Sequence, residues 1–206
     1  LHGHIQSSAL SSLFYKLDDH VHSYFDYEGL FSHRFQMVLD ESKQQRDSLE
    51  LYDSEKGTVY YWDRWNHKTK GYREKKKTRE IPRFPLDVLS SIFYIRTQPL
   101  ENKKSIQFPV VVEAKTHHVN LKYVRRERIR GPKGRKVWTT VVRPIEEKAS
   151  KMRDPAVTGK RKKKKDDYLM WFSEGRSKYL LRLEAKVKIG SVTAQLKKVV
   201  KGQPIR

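Results

Sequence analysis

Tyr179-Leu-Leu-Arg-Leu-Glu-Ala-Lys-Val-Lys-Ile189 decides the fold class. Tyr179, Leu181, Leu183, Ala185, Val187 and Ile189 form one row, and Arg182, Glu184, Lys186 and Lys188 stand between them. Successive side chains of a strand point to opposite faces, so this alternation reads as an antiparallel strand with one buried face. Gly190 predicts a turn, and the next alternating segment, from Val192, predicts the partner of a closing hairpin. Its expected core row is Tyr179, Leu181, Leu183, Val187, Val192, Ala194 and Leu196.

The same period runs through most of the chain. Leu17-Asp19-Val21-Ser23-Phe25, Phe31-His33-Phe35-Met37-Leu39 and Val59-Tyr61-Asp63-Trp65 are mainly apolar rows, each alternating with a more polar one. Turn chemistry falls at Ser54-Glu-Lys-Gly57, at 67–71, at Gly131-Pro-Lys-Gly134 and at Glu174-Gly-Arg176. Roughly ten strands at this spacing predict a sandwich or barrel.

Two segments depart from period two. Ser8–Leu17, apolar at Leu10, Leu13 and Phe14, reads as about two helical turns. Pro85–Thr97 is the firmer helix: Pro85 suits a first helical position, Leu86, Leu89 and Phe93 recur at helical spacing, and Pro99 blocks continuation. Leu89, Ile92 and Phe93 are the side chains expected to be buried against the sheet. Residues 148–167 are nearly free of apolar side chains and read as a mobile basic loop, with Val137–Arg143 and Tyr168–Ser173 pairing across it. No linker or repeat divides the chain, so 1–206 is read as one domain.

The formal charge is +21, and it resides in three segments. Residues 64–83 carry nine Lys/Arg against two Glu, 122–143 nine against one, and 148–167 nine against three; the remainder is neutral. A neutral body with segregated basic patches points to an anionic partner rather than to solubility alone. With no cysteine, disulfides, thiolate metal sites and cysteine nucleophiles are excluded. No stretch approaches the roughly 18–20 apolar residues of a membrane span. The chain opens on Leu1 without a leader-like segment and is read as a processed or trimmed product.

Each basic segment has a binding reading and a plainer one. Tyr60–Arg73 reads as a hairpin with Tyr60, Trp62 and Arg64 on one face and Tyr61, Asp63 and Trp65 on the other. Trp62, Arg64, Trp65, Lys68, Lys70, Tyr72 and Arg73 would stack on rings while pairing with phosphate or carboxylate; alternatively, both rows are covered as barrel filling. Arg125, Arg126, Arg128, Arg130 and Lys133 offer donors to phosphate or carboxylate, or else guard a solvated edge. Lys160, Arg161, Lys162, Lys163, Lys164 and Lys165 form an electrostatic tether to a polyanion or lipid surface, a nuclear-targeting or RNA-binding run, or a solvated loop.

His2/His4 and His20/His22 have i, i+2 spacing, which places both rings of a pair on one strand face. Zinc takes such pairs together with a carboxylate such as Asp18 or Asp26. Spacing alone supplies no third fixed ligand, so no metal or cofactor is assigned. A nucleophile elbow, a phosphate-cradling glycine loop and paired carboxylates in apolar settings are all missing, with Glu113 and Glu184 placed in strands; the reading is a non-enzyme.

Tyr168-Leu-Met-Trp-Phe-Ser-Glu-Gly-Arg-Ser-Lys-Tyr-Leu-Leu-Arg-Leu-Glu-Ala-Lys-Val-Lys-Ile-Gly-Ser-Val-Thr-Ala-Gln-Leu196 resembles the closing hairpin of the bacterial family catalogued as domain of unknown function 3108. Val21-His-Ser-Tyr-Phe-Asp26, the 85–97 helix and Val141-Val-Arg-Pro144 also match its pattern, so the resemblance covers nearly the whole chain. It implies an exported, mostly β protein of the Gram-negative envelope with a curled barrel-like sheet and no established activity. The basic insert at 148–167 and the Lys/Arg density at 64–83 and 122–143 depart from that pattern.

The combined expectation is an all-β antiparallel sheet of about ten strands, curled into an open or half-closed barrel with helix 85–97 packed on it. The expected function is a non-catalytic binding or structural protein in the periplasm or at the outer membrane. It would engage an anionic envelope polymer, lipid headgroup or acidic partner, and its concave face is a candidate for an apolar ligand. Nucleic-acid binding is the alternative, and a hydrolase with a dispersed site the second.

Overall fold

The computed structural model describes residues 1–7, 16–100, 104–147, 167–186 and 191–200. Twelve strands lie in these segments. The first six are β1 (His2–Gln6), β2 (Asp18–Phe25), β3 (Ser32–Asp40), β4 (Gln44–Asp53), β5 (Thr58–His67) and β6 (Gly71–Glu80). Helix α1 (Val88–Thr97) follows, then β7 (Ile106–Val112) and β8 (Lys115–Arg130). A 3-10 turn (Pro132–Gly134) leads to β9 (Lys136–Glu147), β10 (Asp167–Ser173), β11 (Leu180–Lys186) and β12 (Ser191–Gln195). All-β antiparallel architecture with one helix among the described residues is thus as expected. The strands separate into two six-stranded meanders, β1 to β6 and β7 to β12, each in sequence order and neither closed on itself. The expected helix at 8–17 falls largely on residues 8–15, outside the described residues, as do 148–166 of the basic insert.

Meanders follow from tight turns. At the β4–β5 turn Asp53 Oδ1 accepts the Lys56 amide at 2.9 Å, and Gly57 adopts φ 63°. A Cβ at Gly57 would stand 3.0 Å from the Ile81 carbonyl, so both the conformation and the space select glycine. Gly71 (φ 72°) closes the β5–β6 hairpin in the same left-handed region.

By internal contacts the chain divides into two units. The first comprises 1–94 and 109–117, the second 95–108 and 118–206; the division runs through α1, β7 and β8. In the first unit Tyr52, Val59, Tyr61, Ile81, Val111 and Ala114 form an apolar cluster with Phe35 against it. A polar knot is buried in the same unit. Asp87 accepts the Ser23 and Ser32 hydroxyls on Oδ2 at 2.6 and 2.7 Å, and the Leu89 and Ser90 amides on Oδ1 at 2.7 and 2.9 Å. Asp87 therefore caps α1 and ties it to β2 and β3.

That cap corrects the helix reading. α1 begins at Val88, and Pro85 lies before it, its carbonyl accepting the Ser32 amide at 2.7 Å. Leu89, Ile92 and Phe93 are only half-buried, while Ser90, Ser91 and Ile95 are the buried positions. The Asp87 carboxyl selects hydroxyls as neighbours, so the packed face is partly polar and apolar periodicity points beside it.

In the second unit Leu121, Val141, Val142, Trp171 and Phe172 are buried. β9 and β10 pair across the insert as expected, with Met170 opposite Val142 and Ser173 opposite Thr139. The closing hairpin is present too, Leu183 facing Ala194 and Lys186 facing Ser191. Leu181 is buried and Tyr179 and Leu183 are half-buried, as the alternation requires. Val187 and Gly190 lie outside the described residues. Val192 and Ala194 correct the expectation: both are exposed, and Leu196 is half-buried beyond the strand end. β12 is the terminal strand of its sheet, so it has one strand neighbour instead of two.

Candidate functional site

The register of β4, β5 and β6 brings three rows of side chains to one face. Arg46 stands opposite Trp65, Ser48 opposite Asp63 and Glu50 opposite Tyr61. Trp65 in turn faces Arg73, Asp63 faces Lys75 and Tyr61 faces Lys77. A groove of about 460 Å³ opens over this face, lined by Gln44, Arg46, Asp63, Trp65, Arg73, Glu74 and Lys75.

Its charges divide into committed and uncommitted ones. Arg46 donates to both Asp63 oxygens (2.6 and 3.1 Å), to Glu113 Oε1 (2.6 Å) and to the Tyr61 hydroxyl (3.0 Å), which holds its guanidinium even more firmly protonated. Burial pushes the Tyr61 phenol well above its ordinary value. None of Arg73, Lys75 and Lys77 forms an ion pair among the described residues, although Lys77 Nζ donates to the Glu113 main-chain carbonyl at 3.4 Å. Partial burial lowers the Lys77 ammonium first, and Lys75 and Lys115 add like-charge repulsion. The carboxylates nearby are taken by other cations, Asp63 and Glu113 by Arg46 and Glu74 by Lys76, and crowded like charges left over are the arrangement an anion relieves.

Trp65 supplies a flat surface in the groove. Its Nε1 donates to Gln44 Oε1 at 2.7 Å, and the Lys70 Nζ and Arg73 Cζ atoms lie 5.8 and 5.5 Å from its ring centroid. Lys77 Nζ similarly lies 5.2 Å from the Tyr61 centroid. Of the residues expected for this patch, Trp65, Lys70 and Arg73 thus come together. Trp62, Arg64 and Tyr72 project to the opposite face: Arg64 pairs with Asp47 at 2.7 Å, Tyr72 donates to Glu74 at 3.3 Å, and Trp62 is half-buried. Lys68 is exposed in the β5–β6 turn. Sequence reading missed Arg46, Lys75, Lys77 and Lys115; the i, i+2, i+4 spacing of Arg73, Lys75 and Lys77 was the available signal for two of them.

The arginines of β8 are largely engaged inside their own unit. Arg126 forks onto Glu174 with bonds of 2.6 and 2.8 Å while lying 4.0 Å from the Trp138 centroid, and Arg128 lies 5.5 Å from the same ring. Arg125 Nε donates to Glu127 at 2.5 Å, and Glu127 also accepts Trp171 Nε1 at 2.5 Å. These bonds hold the Glu174 and Glu127 carboxyls below the usual range, Arg126 being the leading cause for the first and Arg125 for the second. Arg130 is exposed near the strand end and Lys133 lies in the 3-10 turn. Lys160, Arg161, Lys162, Lys163, Lys164 and Lys165 fall outside the described residues.

Glu50 and Asp87 are the two most deeply buried acids of the first unit. Glu50 accepts the Ala114 amide at 2.5 Å and the Tyr52 hydroxyl at 2.8 Å, and burial raises its pKa. Asp87 has the four donors described above. Both hold backbone and hydroxyl groups in place within the core, and neither lines the groove. Glu113, expected in a strand, sits with Ala114 in the β7–β8 turn at positive φ (52° and 58°) and reaches Arg46 from there.

The β1–β2 register also pairs His2 with His22 and His4 with His20, gathering four imidazoles on the strand face opposite Ser23. Asp26, one candidate third ligand, is instead the cap of its own turn, accepting the Glu28 and Gly29 amides at 2.9 and 2.6 Å.

Residues 1–197 match the protein family described as "Protein of unknown function (DUF3108)", and the chain belongs to that family. No curated protein matches it. Among solved structures it is similar to a β-barrel-like protein of domain of unknown function DUF1849 from Brucella abortus, with 8% identity and a TM-score of 0.44 over 89% of this chain and 87% of that one. No helix among the described residues is long and apolar enough to cross a membrane.

Proposed function

We propose that this protein is a non-catalytic binding protein of the bacterial cell envelope, engaging an anionic polymer, lipid headgroup or acidic partner through the groove over β4, β5 and β6. The observation that carries this reading is the row Arg73, Lys75 and Lys77, without carboxylate partners among the described residues, beside the Trp65 ring. Cations of this kind pair with phosphate, sulfate or carboxylate, and the indole face packs on a sugar ring or other flat group. Location in the envelope rests on what the family resemblance implies, and fractionation of cells carrying the full gene tests it: recovery with periplasmic or outer-membrane material is expected.

Titration against heparin, lipopolysaccharide, peptidoglycan fragments and single-stranded RNA, at low and physiological salt, tests the ligand class. Binding to the envelope anions that persists at physiological salt and is weakened by R73A/K75A/K77A supports the proposal. Equal, weak binding to all four would reduce the charge to a solubility device. A clear preference for RNA would favour nucleic acid as the partner.

A further inference from the structure

The histidines of β1 and β2 were separate pairs in the sequence; the antiparallel register makes them one cluster. His2 stacks on His22 with ring centroids 4.4 Å apart, and His4 on His20 at 4.2 Å, the planes within 9° of parallel. His2 Nε2 and His20 Nδ1 are 3.0 Å apart, His4 Nε2 and Asp18 Oδ1 2.6 Å, and His20 Nε2 and Asp18 Oδ1 3.6 Å. The donor atoms of His2, His20 and His22 all lie within 4.8 Å of one another, and so do those of His4, Asp18 and His20.

We propose that this cluster is a binding site for one borderline transition-metal cation of the Zn²⁺ class, with His20 as the shared ligand. Tetrahedral zinc with ligand bonds of about 2.0–2.2 Å holds its donors roughly 3.3–3.5 Å apart. Within the His4, Asp18 and His20 set the separations of 2.6 and 3.6 Å bracket that distance; His2 meets His20 at the other ring nitrogen, so the ion occupies one set at a time. The backbone is fixed by a five-residue ladder from His2↔His22 to Gln6↔Asp18. Three imidazoles, or two with one carboxylate, leave a coordination position open, as in zinc sites that take an exogenous ligand. Stacked rings joined by hydrogen bonds alone would take up no zinc.

Zn²⁺ titration of the full chain by calorimetry, in competition with a chromophoric chelator, is expected to show one ion per chain. His20→Ala is expected to lower the affinity by at least about tenfold, because His20 belongs to both ligand sets. His67→Ala, at the end of β5 and three strands from β2 in the sheet, is expected to leave the affinity unchanged. His20→Phe keeps a ring to stack on His4 without a nitrogen donor and serves if the alanine variant loses its near-UV circular dichroism. Co²⁺ should give the intense visible bands of four-coordination in the wild type and lose them in the His20 variants. Absence of stoichiometric zinc uptake, or equal uptake by wild type and both His20 variants, overturns the proposal.

Discussion

Ser23 Oγ donates to Asp87 Oδ2 at 2.6 Å, a bond between residues 64 apart in sequence whose side chains are both wholly buried. Ser32 reaches the same oxygen, and the other oxygen caps α1. One carboxyl group thus fixes where the helix starts and which strands it meets. Asp87→Ala would strand two hydroxyls and two amides in the interior, at a cost of about 3 kcal/mol or more. Urea denaturation checks this; a loss below about 1 kcal/mol would mean that the knot is incidental.

The half-exposure of Phe93 sets an order between two helix substitutions. Ile95, 3% exposed, is expected to cost about 2–5 kcal/mol on truncation to alanine. Phe93→Ala should cost less than Ile95→Ala, although the side chain removed is larger, because Phe93 retains part of its contact with water. Equal or greater loss at Phe93 would contradict the packing described.

At the closing hairpin the contrast lies between Leu181 and Val192. Leu181→Ala is expected to cost about 2–5 kcal/mol, and Val192→Thr less than about 0.5 kcal/mol, since the valine is 60% exposed. Comparable losses at the two sites, read from denaturation midpoints, would show that β12 is covered.

Those two elements mark what the sequence discloses. Alternation over 179–189 is a local property, so strand, hairpin and the inward face of β11 were legible. Which strand lies at the sheet edge is a tertiary fact, and it exposed Val192 despite the correct period. Helix α1 was legible as a helix, but its buried serines answer a carboxyl group that hydrophobic spacing does not register. At the groove, Trp65 and Arg73 were found from composition near a turn. Their alignment with Lys75, Lys77 and Arg46 depends on strand register, and Arg126 finds Glu174 only across 48 residues. The four histidines follow the same rule: spacing yields pairs, and register joins the pairs.

Glu50 gives the fold a pH signature. Burial holds its carboxyl above the ordinary value of 4.5, against the lowering effects of the Ala114 amide and the Tyr52 hydroxyl. A proton bound more tightly in the folded state contributes stability that is complete below pH 4.5 and is lost as pH rises through the raised value. Glu50→Gln lacks this proton, so the stability of the wild type minus that of the variant should fall as pH is raised from below 4.5 towards neutrality. A difference that stays flat or grows, in urea melts across that range, would contradict the direction.

The central claim, that the face carrying Arg73, Lys75 and Lys77 binds an anion, is tested most directly by the salt dependence of heparin binding in the wild type and in R73A/K75A/K77A. Each ionic contact contributes roughly 0.7–0.9 to the slope of log K against log salt on a linear polyanion. Removing three contacts should therefore flatten the slope by about 2–3 while leaving the circular dichroism spectrum intact, because all three side chains lie outside the apolar cluster. An unchanged slope in the correctly folded triple variant would place the binding elsewhere and contradict the account.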